Sequence, residues 1–268
     1  MAEADRPSPA ATVARPDAEF YVGYFKMPPG LAGFLRLLVP TALLLSAALA
    51  VLLARSQNNP GDGRWDDATA QTFVGFVEAT PYPLIRVPGA TPERPIETLL
   101  LVEVGKFGGG RRALPLNGRS ASVSGWIVER DGRRLLEMEP GDSLRTDKSI
   151  SDDEQAALRS PPEIALGRAT LRGEIIDSKC YLGVMKPGEG RTHKECATLC
   201  IAGGIPPMFV TTDAAGRRTY YLLTDPTGRA LDSRVLPFVA DPVIISGQLA
   251  KQADLLFFKI EPADIQRL

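Results

Sequence analysis

Cysteine and histidine are scarce in this chain of 268 residues, which has only three cysteines and one histidine. An excess of either charge is also absent, because 31 lysines and arginines stand against 32 aspartates and glutamates. A balanced charge provides no basic surface, so nucleic acid is not expected as a partner. With 44% hydrophobic and 24% charged residues, the composition is typical of a folded protein.

Several signatures of catalytic and redox sites are missing. There is no C-x-x-C-H motif for c-type haem, and a single histidine excludes the two-histidine ligand set of a Rieske centre. A G-x-S-x-G elbow is absent too, and no acid pair accompanies a plausible base, so hydrolase chemistry has no support. The sequence leaves enzymatic activity undecided and favours a protein that is not an enzyme on its own.

One long hydrophobic run is present, at residues 31–54, and Arg36 is its single charge. At ~1.5 Å per residue, the run is long enough to cross a hydrocarbon core as a helix. A cleaved signal peptide is the alternative, because Ala48-Leu49-Ala50 imitates a cleavage site. The preceding segment is too long for a usual signal, however, and the apolar run continues past Ala50. We therefore expect an uncleaved single-pass anchor.

The flanks of this run predict its orientation. Four basic residues precede or begin it and two follow it closely: Arg6, Arg15, Lys26 and Arg36, then Arg55 and Arg64. The bias places the N-terminus in the cytoplasm and the rest of the chain in the periplasm, for an anchor in a bacterial inner membrane.

Residues 1–30 are predicted to be a disordered cytoplasmic tail that ends in an aromatic juxtamembrane segment. The segment contains Phe20, Tyr21, Tyr24 and Phe25. Aromatic residues at this position are typical of the membrane interface. The alternative is that the segment docks against another membrane-protein subunit.

The remainder of the chain repeats itself. Residues 123–142 align without a gap onto 245–264, an offset of 122, with Ser-Gly and Glu-Pro-x-Asp in both copies. Residues 72–77 align onto 170–175 at an offset of 98. The second copy therefore carries the difference, 24 additional residues, and the cysteines lie in or beside that insertion.

Both copies are predicted to be mainly β. About five short strands with turn residues between them indicate a small barrel of the OB type, and a small sandwich is the alternative. We expect a first OB-like domain at 70–142, a linker at 143–168 with a short helix at 152–159, and a second OB-like domain at 169–268. The Cys/His insertion in the second domain is predicted to be helical.

The insertion carries helix start and stop signals. Thr192 and Glu195 have the spacing of a capping box, which predicts a helix beginning there. Gly203 and Gly204 are expected to end it.

On this predicted helix, His193, Cys196 and Cys200 share one face, because they stand at positions i, i+3 and i+7. Cys180 follows a predicted strand and can supply a fourth ligand. Three thiolates and one imidazole suit a metal ion with tetrahedral coordination. Zinc is the expected ion, and copper or iron are the alternatives.

Other interpretations of the cysteines stay open. Cys196 and Cys200 could form a disulfide that leaves Cys180 as a reactive thiol, or all three could be inert buried residues. The C-x-x-x-C spacing also resembles the copper loop of cytochrome oxidase subunit II. Gly204 stands where that loop has its histidine, which argues against a binuclear copper centre.

The stretch from Asp177 to Gly204 contains Asp-Ser-Lys-Cys, then His-x-x-Cys-x-x-x-Cys and a Gly-Gly turn. This pattern resembles a group of uncharacterised bacterial membrane-anchored or exported proteins with an OB-like domain. The resemblance implies a ligand site but no reaction, and it does not extend to the first domain or the anchor.

The sequence therefore favours a membrane-anchored accessory protein with a Cys3His metal site, serving a respiratory or electron-transfer complex. A thiol-disulfide protein that uses Cys196 and Cys200, or a purely structural scaffold, are the alternatives.

Overall fold

The computed structural model describes Gly23 and residues 26–57, 63–159 and 161–268. The chain forms two compact units, Met1–Asn59 and Pro60–Leu268. The aromatic residues Phe20, Tyr21, Tyr24 and Phe25 lie outside the described residues, as does most of the predicted tail.

The first unit contains helix α1 (Pro29–Ser56), which confirms a helix over the predicted hydrophobic run. Proline is favourable in its first turn, where a backbone N–H has no partner to lose. None of its side chains is buried. A helix that is apolar around most of its circumference is typical of a membrane-spanning segment. Within the described ranges, α1 is the one helix long and apolar enough to cross a membrane.

The second unit begins with a seven-stranded sheet, five strands of which close into a barrel. Its chain order is β1 (Arg64–Trp65), β2 (Gln71–Glu78), β3 (Leu84–Thr91), β4 (Arg94–Val102), the short helix α2 (Gly110–Ala113), β5 (Ser120–Arg130), β6 (Arg133–Met138) and β7 (Leu144–Thr146). The sheet runs β5-β2-β3-β4-β6, and β6 pairs again with β5, which closes the barrel. Pairing of β4 with β6 is parallel, whereas the other pairs are antiparallel.

A second closed barrel follows. It is built from β8 (Ile164–Asp177), β9 (Pro207–Thr212), β10 (Arg218–Thr224), β11 (Pro242–Gln252) and β12 (Leu255–Arg267), preceded by the short helix α3 (Asp152–Leu158). The strand order is β10-β12-β11-β8-β9, with β10 and β12 parallel. Helix α4 (Lys194–Ala202) lies in the chain between β8 and β9. The chain is therefore mainly β with two five-stranded barrels, as predicted.

The two barrels have matching registers. Thr72 and Ser124 share a side-chain hydrogen bond of 2.7 Å between β2 and β5, and Thr170 and Ser246 share one of 2.7 Å between β8 and β11. These pairs are related by the offsets of 98 and 122 found in the sequence. The central glycines of β5 and β11 also face equivalent residues: Gly125 pairs with Gln71 and Met138, and Gly247 with Ala169 and Ile260.

An apolar cluster joins the barrels into one body. It combines side chains of the first barrel, such as Leu100 and Leu135, with Ile176, Leu222 and Phe257 of the second. Each barrel also has an apolar cluster of its own. Burial of apolar area against the partner barrel stabilises the pair, because this surface would otherwise be exposed to water.

The segment 143–168, predicted as a linker, is more structured than expected. Strand β7 pairs with β5 and buries Leu144, so the first sheet extends into this segment. Strand β8 already begins at Ile164. The short helix predicted at 152–159 is confirmed as α3, and it starts with a capping box between Ser151 and Glu154.

Candidate metal centre

Three thiols meet in the segment between β8 and β9 of the second barrel. Cys180 lies three residues after the end of β8, in a short π-helical turn, while Cys196 and Cys200 stand about one turn apart on α4. The three Sγ atoms all lie within 4.8 Å of one another. Cys180 and Cys200 are buried, Cys196 is half-buried, and all three are free thiols.

The prediction that a capping box of Thr192 and Glu195 starts α4 is wrong. The helix begins at Lys194, its N-cap is His193, and no side chain caps it. The residues 191–193 form a separate 3-10 turn, so Thr192 is not placed to accept from the first turn of the helix. The helix does end where the glycines predict: Gly203 is its C-cap, and Gly204 has a φ of +94°.

His193 consequently does not lie in the helix with Cys196 and Cys200. Its Nε2 lies 3.0 Å from Oδ2 of Asp177, and both residues are buried. The other carboxylate oxygen, Oδ1, accepts a hydrogen bond from the backbone N–H of Cys180 at 2.8 Å. Asp177, Cys180 and His193 form a second group of mutually close ligand atoms. The four predicted residues thus fall into two overlapping groups that share Cys180.

A lysine from the first barrel contacts the thiols. Lys106 lies between β4 and α2, and its Nζ is 2.7 Å from Sγ of Cys196 and 3.7 Å from Sγ of Cys200. The hydrogen bond to Cys196 raises the pKa of Lys106. Sequence reasoning missed this residue, because it stands 90 positions before Cys196 and no local pattern marks it.

The thiols differ in their affinity for protons. Sγ of Cys180 lies 4.0 Å from Sγ of Cys200. A hydrogen bond from Cys180, aided by the charge of Lys106, lowers the pKa of Cys200 to about 7. The same hydrogen bond, together with burial, raises the pKa of Cys180 well above its ordinary value. Cys200 is therefore the thiol of this pair that ionises more readily, and Cys180 is the one that keeps its proton to higher pH.

A buried lysine holds the loop that carries Lys106. Nζ of Lys179 donates to the carbonyl oxygens of Glu103 and Gly105 at 2.9 and 2.8 Å, and to Oε1 of Glu137 at 2.8 Å. Lys179 and Glu137 are 3% and 2% exposed, so this is a buried ion pair between the barrels. It fixes the loop of the first barrel against the start of the insertion.

Glycines allow this loop to approach α4 closely. The backbone N–H of Gly108 donates to the carbonyl of Gly203 at 3.0 Å. A Cβ on Gly203 would lie 1.8 Å from the carbonyl oxygen of Lys106, and one on Gly108 would lie 2.0 Å from that of Gly204. Neither position tolerates a side chain unless the loop moves away.

The donor set fits a soft metal ion. Thiolates bind zinc at about 2.3 Å, and tetrahedral geometry then separates the sulfurs by about 3.8 Å. The distance of 4.0 Å between the Sγ atoms of Cys180 and Cys200 is close to that value.

Comparisons with models of protein families, with curated proteins and with solved structures find no match for the chain.

Proposed function

We propose that this chain is a single-pass membrane-anchored protein whose second barrel binds one metal ion through Cys180, Cys196 and Cys200. The observation that carries the proposal is the mutual proximity of the three Sγ atoms, all within 4.8 Å. Zinc is the expected ion, because three thiolates are a typical part of its tetrahedral structural sites. Copper and iron are the alternatives.

His193 is the proposed fourth ligand. Nε2 lies 3.0 Å from Oδ2 of Asp177, so in this proposal Nε2 carries the proton and donates to the carboxylate while the other ring nitrogen binds the metal. Ligating histidines commonly donate their second N–H to a carboxylate, which fixes the tautomer and orients the ring. The proximity of His193 to Cys180 supports this role.

A closed set of four protein ligands serves structure, metal handling or electron transfer rather than Lewis-acid catalysis on a substrate. We therefore assign the protein an accessory role beside a respiratory or electron-transfer complex. Another subunit of that complex would dock on the aromatic segment Phe20, Tyr21, Tyr24 and Phe25. In this proposal α1 lies in a bacterial inner membrane, and the basic flanks favour a periplasmic location for the barrels.

The proposal includes the origin of the two barrels. The equal strand order and the equivalent hydrogen bonds of Thr72 and Thr170 support a tandem repeat of one domain. Closure of five strands supports an OB-like identity for each copy. The Cys/His motif supports membership of the exported bacterial group that it resembles.

A thiol-disulfide protein is the second candidate. The distance of 4.0 Å between the sulfurs of Cys180 and Cys200 favours it, since a small movement would allow a bond. The pair predicted from the sequence, Cys196 and Cys200, also lies within reach.

Metal content and thermal melting of the full-length protein in detergent distinguish these functions. Wild type should hold about one equivalent of metal, and a chelator should lower its melting temperature, because binding energy contributes to folding. Cys200→Ser should lose the metal and the chelator effect. Ser178→Ala is the matched control, since the buried Oγ of Ser178 has no hydrogen-bond partner in the described structure.

Four identical melting curves, for wild type and Cys200→Ser with and without chelator, would show that no metal holds the site. A reducible bond between two of the cysteines in metal-free protein would then establish the thiol-disulfide function.

A further inference from the structure

The contact between Lys106 and Cys196 is unusually short. Nζ lies 2.7 Å from Sγ, well inside the roughly 3.5–4.0 Å at which two carbon atoms rest in contact. In the part of the chain that the structure describes, Lys106 has hydrogen bonds to thiols only, at Cys196 and Cys200. A lysine amine is thus directed at a sulfur and not at a carboxylate.

Both backbones that carry these groups are held in place. The loop of Lys106 is bound by Lys179 through the carbonyls of Glu103 and Gly105. It is bound again by the hydrogen bond from Gly108 to the C-terminal end of α4. The amine and the sulfur therefore meet because the folded body places them together.

The pair is also the accessible part of the thiol cluster. Cys196 and Lys106 are half-buried, while Cys180 and Cys200 are 4% and 1% exposed. A small oxidant can reach the sulfur of Cys196 first, because susceptibility of a cysteine to oxidation follows its exposure.

We propose that Lys106 and Cys196 form a reversible covalent N–O–S crosslink between the two barrels when peroxide is present. The amine nitrogen and the sulfur are joined through one oxygen atom. In such a bridge nitrogen and sulfur are separated by two single bonds, N–O and O–S. The observed distance of 2.7 Å between Nζ and Sγ therefore fits this bridge better than it fits a direct S–N bond.

The chemistry balances with hydrogen peroxide as the oxidant. One peroxide oxidises the thiol to a sulfenic acid and releases water. A second oxidises the neutral amine, after its extra proton has passed to water, to a hydroxylamine and releases water. The hydroxylamine oxygen then attacks the sulfenic sulfur, the sulfenic hydroxyl leaves as a third water, and the S–O bond forms. The pair has lost two hydrogens and gained one oxygen.

This inference goes beyond the proposed metal function and does not require it, because the reaction uses the metal-free thiol. If the metal function is also correct, the crosslink withdraws Cys196 from the ligand set, and peroxide lowers metal binding. A reductant thiol should attack the bridged sulfur and break the S–O bond, so that the oxygen leaves with the nitrogen as a hydroxylamine. A second reductant thiol should then free Cys196 from the mixed disulfide and restore binding.

Mass spectrometry of the full-length protein in detergent tests the crosslink. The protein is treated with chelator and then with hydrogen peroxide, and is digested with a protease that cleaves after glutamate. The expected product joins the peptides of Lys106 and Cys196, with a mass equal to their sum plus one oxygen minus two hydrogens. Dithiothreitol should separate them. Metal content is measured on an untreated sample, so the metal function is judged independently.

Two lysine variants control the result. Lys106→Arg keeps the charge but removes the primary amine, so the product should disappear. Lys194→Arg should leave it unchanged, because Lys194 stands two residues before Cys196 on α4 and pairs with Asp241. A disulfide among the cysteines, a sulfinic acid on Cys196 or an S–N link without oxygen would each overturn the proposal. Since the wild-type masses decide, a poorly folded variant does not affect the test.

Discussion

The buried ion pair between Lys179 and Glu137 should be a main source of stability at the junction of the barrels. Replacing Lys179 by Met removes the ammonium and leaves the Glu137 carboxylate unpaired in a site where it is 2% exposed. Its second oxygen, Oε2, already has no hydrogen-bond partner in the described structure. Breaking one side of a buried pair costs about 3–5 kcal/mol, because an uncompensated charge remains.

The carbonyls of Glu103 and Gly105 also lose their donor in this variant. Because these carbonyls belong to the half-buried loop, water can replace part of the lost hydrogen bonding. We therefore expect the total loss in the free energy of unfolding to stay near the upper end of about 3–5 kcal/mol. The double variant Lys179→Met, Glu137→Leu removes both charges, so it should be less destabilised than the single variant by roughly 2 kcal/mol or more.

Urea unfolding of the full-length protein in detergent, followed by tryptophan fluorescence, measures both changes in the free energy of unfolding. Equal losses in the single and double variants would refute the reasoning, since they would show that no unpaired charge is left behind. A loss below 1 kcal/mol in the single variant would show that the pair is exposed to water in solution.

Three further predictions follow from the loop, the thiols and the anchor. Gly203→Ala should destabilise the body by roughly 1–3 kcal/mol, because its Cβ would meet the Lys106 carbonyl. Gly110→Ala is the control and should change little, since nothing lies within 4 Å of that position. Urea unfolding compares the two variants, and equal unfolding curves would contradict the close approach of the Lys106 loop to α4. In reduced, metal-free protein, stability should rise with pH from about 7, the folded pKa of Cys200, to 9.0, its ordinary value, because only the folded state holds the thiolate there. Above that range stability should fall, since Cys180 ionises in the unfolded chain but stays protonated in the folded one. Urea unfolding at a series of pH values measures both the rise and the fall of stability, and a flat profile that matches that of Cys200→Ser would contradict the prediction. The full-length protein should stay in the membrane fraction through carbonate extraction, and a mature N-terminus near Val51 would show that the run is a cleaved signal instead.

The sequence was informative where its signals are local. The hydrophobic run predicted α1, short strand-like runs separated by turn residues predicted two five-stranded barrels, and the clustering of cysteines predicted that they meet. The end of α4 followed from its two glycines. Each of these features depends on residues close in sequence or on a pattern of apolar positions.

Features that depend on the exact path of the chain into a helix, or on tertiary contacts, were missed. The capping box of Thr192 is not formed, because a 3-10 turn precedes the helix and changes the entry of the chain. That turn also moves His193 away from the predicted helical face and toward Asp177. Lys106 could not be identified, since its contact with Cys196 exists only after the two barrels have packed. Asp177 and Lys179 lie within the Asp-Ser-Lys-Cys motif, which was the available signal for them.

The position of Lys106 in the first barrel makes the thiol cluster depend on both barrels. The second barrel contains every cysteine, but the half-buried sulfur of Cys196 contacts the amine of Lys106, which belongs to the first barrel. Excision of the second barrel would keep the whole motif and still lose the partner of Cys196, and it would expose the apolar cluster shared with the first barrel. A substitution in the 103–108 loop and one at the end of α4 must therefore be compatible with each other, because the two segments are in direct contact.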